Sequence, residues 1–119
     1  MSTDQRIFTR IPFARKLTWR DTDGNEGSAE ISNVGRGGIG LVMNSYLRPG
    51  PTISVIFDDV ESEGIPVELQ ALVSWSKPGA NSGSFLCGLS WVQGERGTLP
   101  RINEVYYAAI NDHVASGAA

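Results

Sequence analysis

Two groups of residues in this chain have types and spacing suited to holding an anionic ligand. The first is Arg6-Ile-Phe-Thr-Arg10, an Arg-x-x-x-Arg pair near the N-terminus. A guanidinium presents a planar fork of N–H donors that matches phosphate or carboxylate oxygens in pairs, and its face stacks on aromatic rings. The second is Asn33-Val-Gly-Arg-Gly-Gly38, where Gly35, Gly37 and Gly38 permit a close backbone approach and Arg36 adds a further donor. Each has an ordinary explanation beside the chemical one: an arginine pair met by chance, and a turn that needs glycine to reverse the chain. Charge is distributed in the same sense. Residues 1–20 carry five bases (Arg6, Arg10, Arg15, Lys16, Arg20) against one acid, Asp4, while the remaining 99 residues carry five bases against twelve acids. Such asymmetry marks either an anion site or a solvated tail.

Other chemistries lack their residues. One histidine, His113, and one cysteine, Cys87, allow neither an internal disulfide, nor a zinc site, nor a Cys/His nucleophile pair among sequence neighbours. Asp58, Asp59, Glu61 and Glu63 read as a solvated acidic loop rather than a catalytic cluster. No P-loop or dinucleotide fingerprint is present. The sequence therefore predicts no catalytic residues, no metal, no cofactor and no enzymatic activity. A net charge of −3 argues against indiscriminate nucleic-acid binding, which needs a broad positive surface. No apolar run reaches the length of a membrane span, and Asp4, Arg6 and Arg10 interrupt any signal-like N-terminus. The expectation is a cytoplasmic protein with neither membrane insertion nor a nucleic-acid partner.

The elements that must position these groups are short and β-rich. Strands are expected at Leu17–Arg20, Ser28–Asn33, Gly38–Met43, Thr52–Asp58, Val67–Ser76 and Phe85–Val92. In the fifth, Val67, Leu69, Ala71, Val73 and Trp75 fall on one face at period two. Ile53, Val55 and Phe57 repeat this in the fourth. Asp23-Gly24 supplies a tight hairpin turn, Pro49-Gly50-Pro51 a break, and Lys77–Ser84 a polar loop. Hairpin-length connections imply an antiparallel sheet, and closure would remove its edges. Toward the C-terminus, Ile102, Val105, Tyr106, Ala109 and Ile110 recur at helical spacing, with Pro100 in the first turn and Thr98 as its cap. At 119 residues the chain reads as one all-β domain: a six-stranded antiparallel β-barrel with a C-terminal α-helix. Its parts are a flexible leader over 1–12, a barrel over about 13–95 and a helix over about 99–114.

In this order and on this background, the two motifs resemble the PilZ domain family. That family carries an Arg-rich N-terminal segment followed by [Asp/Asn]-x-Ser-x-x-Gly on a six-stranded barrel with a C-terminal helix. Arg6 and Arg10 fall on its Arg-x-x-x-Arg positions, and Asn33 and Gly38 on the two ends of its second motif. Val73-Ser-Trp75 and Phe85-Leu-Cys-Gly88-Leu-Ser-Trp91 look like the family's Val-x-Trp strand and closing strand. There is one departure, Gly35 where the family has serine. A lost hydroxyl contact weakens binding by about 0.5–1.5 kcal/mol, roughly two- to tenfold.

The resemblance implies that the chain binds cyclic di-GMP through Arg6, Arg10, Asn33, Gly35, Arg36, Gly38 and Trp75. It would then change conformation and pass the signal to a partner protein. Arginine forks match the O6/N7 edge of guanine as well as phosphate. Trp75 offers a stacking face, set against the commoner fate of a strand tryptophan in the core. Two alternatives belong to other classes. One is a degenerate PilZ-like protein-interaction module that does not bind nucleotide, favoured by Gly35. The other is an OB-like barrel for single strands, which suits strand aromatics but not the acidic composition.

Overall fold

The computed structural model describes residues 10–94 and 96–115. Its strands are β1 (Ile11–Pro12), β2 (Lys16–Arg20), β3 (Glu26–Val34), β4 (Gly38–Met43), β5 (Thr52–Ser62), β6 (Ile65–Pro78) and β7 (Phe85–Trp91), and α1 spans Thr98–Ala115. All pairings are antiparallel. β2, β5, β6, β7, β4 and β3 follow one another around the sheet, and β3 pairs with both β2 and β4, which closes six strands into a barrel.

Alternation explains the interior. Leu17 and Trp19, Ala29 and Ile31, Ile53, Val55 and Phe57, Val67, Leu69, Ala71 and Val73, and Cys87, Leu89 and Trp91 are all buried. Each belongs to an every-second-residue set that points to one face of its strand. Gly24 (φ +92°) turns the β2–β3 hairpin and Gly50 (φ +115°) breaks the chain before β5. Ile102, Val105 and Ala109 are the fully buried face of α1, which packs against β1, β3, β5 and β6. At the start of that helix Thr98 is its first residue rather than a cap flanking it, and the carbonyl of Gly97 accepts the N–H of Arg101 at 3.4 Å.

Several boundaries differ from the sequence reading. Ile11 and Pro12 lie opposite Val34 and Asn33, so the chain ahead of β2 is already paired at residue 11. The buried Phe13 anchors this segment. β5 continues through Asp58, Asp59 and Glu61, so these acids lie on a strand; Glu63, at φ +55°, lies in the β5–β6 turn. β6 includes Lys77 and Pro78, and the polar loop before β7 begins only after them. Nor are Arg15 and Arg20 simply solvated. Arg15 holds Asp112 of α1 through two bonds of 2.8 Å and reaches Asp59 at 3.4 Å, and Arg20 Nε donates to Glu26 at 3.2 Å. The guanidinium bonds to Asp112 push the Arg15 pKa further up.

Candidate functional site

Two β-bulges build a cleft on the outside of the barrel. In β3 the register passes from Ile31↔Leu41 to Asn33↔Gly40, leaving Ser32 as an extra residue. Ile31 and Val34 stay buried, so Ser32 and Asn33 both face outward. In β6 it passes from Val73↔Leu89 to Trp75↔Gly88, leaving Ser74 extra. Val73 is buried, whereas Trp75 is 47% exposed. Between the bulged strands run β4 and β7, where Gly40 faces Gly88. Asn33, Gly40, Gly88 and Trp75 thus form one row across four neighbouring strands.

The absent side chains at the centre of this row let its ends lie flat. A Cβ on Gly88 would collide with the Trp75 indole, and a Cβ on Gly40 would sit 3.2 Å from the Asn33 amide. Arg10, just ahead of β1, donates from Nη1 to Asn33 Oδ1 at 2.9 Å, and Asn33 Nδ2 donates to Ser32 Oγ at 3.4 Å. Lys77 Nζ stands 5.6 Å from the centroid of the Trp75 ring. The resulting cleft, of about 270 Å³, is lined by Arg10, Ser32, Asn33, Gly40, Trp75 and Lys77 with their neighbours. It offers a guanidinium, an amide, a hydroxyl, an ammonium and an indole. That set suits a flat, hydrogen-bonding base attached to an anionic group such as a phosphate. A larger groove, of about 540 Å³, lies between the start of β6 and the start of α1, and none of the residues chosen from sequence lines it.

The structure brings Arg10, Asn33 and Trp75 together and sets Gly35, Arg36 and Gly38 apart from them. The Gly35 carbonyl accepts from Trp91 Nε1 at 3.0 Å, its N–H donates to the Gly38 carbonyl at 2.9 Å, and the Trp91 N–H donates to the Gly37 carbonyl at 3.0 Å. A Cβ on Gly38 would strike the backbone carbonyl of Leu89, so glycine here is demanded by strand packing. The Arg36 guanidinium lies 4.9 Å over the Tyr106 ring of α1, away from the cleft. Arg6 falls outside the described residues. Sequence reasoning did not select Ser32, Gly40, Lys77 or Gly88. Gly40 and Gly88 gave a signal, since a glycine inside an otherwise apolar strand marks a bulge or close approach. Lys77 gave none, being assigned to the loop.

The architecture defines a small closed β-barrel whose polar cleft lies beside its N-terminal segment. A family profile described as PilZ domain matches residues 4–107, and the chain belongs to the PilZ domain family. No curated protein matches it. Among solved structures it is similar to the PilZ domain with c-di-GMP of YcgR from Escherichia coli, at 8% identity, TM-score 0.73, and coverage of 97% of this chain and 98% of that one. It also resembles the inhibitor of motility MotI/DgrA of Bacillus subtilis, at 16% identity and TM-score 0.70, with 95% and 53% covered. A third is the MrkH–c-di-GMP complex of K. pneumonia, at 12% identity and TM-score 0.72, with 96% and 56% covered. The chain thus spans about half the length of the last two. Among the described residues no helix is long and apolar enough to cross a membrane.

Proposed function

We propose that this chain is a cyclic di-GMP-binding adaptor of bacterial signalling, acting in the cytoplasm without catalysis of its own. One observation carries the reading: Arg10, Asn33 and Trp75, drawn from three distant parts of the sequence, line one cleft. In this reading the Arg10 fork takes a guanine edge or a phosphate, Asn33 accepts from a guanine N–H, and Trp75 stacks on a base. Two solved neighbours, the YcgR domain and MrkH, are described with c-di-GMP, which supports the choice of ligand. Arg6 would reach the same ligand from the N-terminal segment, and a change of conformation on binding would alter the surface presented to a partner protein. Gly35, Arg36 and Gly38 then act by holding the β3–β4 turn rather than by touching the ligand.

Isothermal titration with cyclic di-GMP tests this. Saturable binding by the wild type and its loss in Arg10→Ala are expected; absence of heat at high micromolar ligand would sink the reading. A second reading, a protein-interaction module indifferent to nucleotide, draws on Gly35, whose carbonyl is engaged by Trp91 and whose position carries no hydroxyl. A partner captured equally with and without cyclic di-GMP would favour it.

A further inference from the structure

β6 runs beyond Trp75 to Pro78 and so carries Lys77 to the rim of the cleft. Trp75 pairs with Gly88 and Lys77 with Leu86, which puts both side chains on the same outer face of the strand. We propose that Lys77 is a ligand-binding residue of this cleft: its ammonium covers the Trp75 ring in the free protein and takes a phosphate when a purine stacks there. The assignment rests on the nucleotide reading above and adds to it a residue that neither motif contains.

Charge supports it first. The chain has a net charge of −3, yet this cleft is lined by two cations, Arg10 and Lys77, and by no carboxylate among the described residues. Geometry supports it next. The ammonium lies 5.6 Å from the indole centroid, over the surface a base would need. A cation over a half-exposed ring is weakly held, so an incoming base can displace it. On its flexible four-carbon stem the displaced ammonium remains within reach of a phosphate attached to that base's sugar.

Trp75 also provides the readout. It is 47% exposed, whereas Trp19 and Trp91 are 7% and 6% exposed, so ligand-induced changes in tryptophan emission report on the cleft. The experiment titrates wild type, Lys77→Met and Lys77→Arg with cyclic di-GMP at about 50 and about 300 mM salt, across which screening of exposed charge changes markedly. Lys77→Met keeps the apolar stem, and an unchanged melting temperature would verify its fold. Its affinity is expected to fall about five- to thirtyfold and to become less sensitive to salt, as loss of a charge-assisted contact requires. Lys77→Arg should stay within about threefold of wild type, since it keeps the charge. Wild-type binding matched within about twofold by Lys77→Met, with the same salt dependence, would overturn the Lys77 assignment alone. Absence of binding by the wild type would remove the nucleotide reading and this assignment together.

Discussion

At the scale of single residues, two glycines that look alike in sequence have opposite roles. Gly38 opens β4 with no room for a Cβ, because the Leu89 carbonyl, a backbone atom, occupies the space. Gly88 also has no room, but the obstacle is the indole of Trp75, a half-exposed side chain that can swing outward. Gly38→Ala is therefore expected to destabilise the barrel by about 1–3 kcal/mol, the usual cost of overpacking. Gly88→Ala should leave the barrel folded, displace Trp75 and weaken cyclic di-GMP binding by about tenfold or more, a base–aromatic stack being worth about 1–3 kcal/mol. Urea unfolding followed by far-ultraviolet dichroism, paired with titration of each variant, separates the two. If Gly88→Ala melts the fold while Gly38→Ala is silent, the positions have been assigned the wrong way round. The same contrast shows what the sequence could convey. The Asn33–Gly38 motif is legible as a glycine-rich turn. Whether Gly38 meets a ligand or a neighbouring strand depends on the Leu89 backbone carbonyl, more than fifty residues away, and no local spacing encodes that.

At the scale of elements, all six barrel strands are legible as short β-rich runs between turn signals, with clear alternation in β5, β6 and β7, and helical spacing marks α1. Strand ends were less legible. Glu61 continues β5 as a polar residue paired with Pro66 across the hairpin, and Asp58 and Asp59 lie where the β5–β6 register shifts, so no apolar alternation marks this end of the strand. The bulged residues themselves, Ser32 and Ser74, carry no mark in the sequence beyond the glycines opposite them, and they decide the site. Read at strict period two, Trp75 joins Val67, Leu69, Ala71 and Val73 in the interior, whereas the extra Ser74 turns it outward. A bulge of one residue changes pairing without changing composition. The helix is tied to the strands in two ways whose sizes differ. Ile102, Val105 and Ala109 are buried, while the bidentate Arg15–Asp112 pair is more than a third exposed on both sides. The pair is thus expected to contribute only about 0.2–1 kcal/mol, the range for exposed ion pairs. Ile102→Ala should cost about 2–5 kcal/mol through lost burial and a cavity. A double-mutant cycle of Arg15→Met and Asp112→Asn, read from urea midpoints, measures the first figure. A coupling near zero would leave α1 held by its apolar face alone.

At the scale of the whole molecule, closure makes the barrel interior one continuous apolar volume, and Cys87 reports on it. Its thiol is 1% exposed and stands 3.3 Å from the Met43 sulfur. Burial pushes the Cys87 pKa up from an ordinary 9.0 to about 11. In the unfolded chain the thiol ionises near its ordinary value, while in the barrel it keeps its proton until about two units higher. Between those values the unfolded state binds fewer protons than the native one, so stability falls as pH rises. The contribution is fully present below about pH 9 and is lost as pH climbs through about 11, by an amount on the order of 2 kcal/mol. Cys87→Ala removes the titrating group and substitutes a cost in lost packing that does not depend on pH. Every other ionisable group is common to both proteins and cancels in the comparison. Urea midpoints measured under reducing conditions from about pH 8 to about pH 11 should show the wild type's advantage over Cys87→Ala shrinking across that window. An advantage that stays constant would mean the barrel interior does not hold the thiol neutral, and that water reaches β7 from the cleft that Gly88 opens beside it.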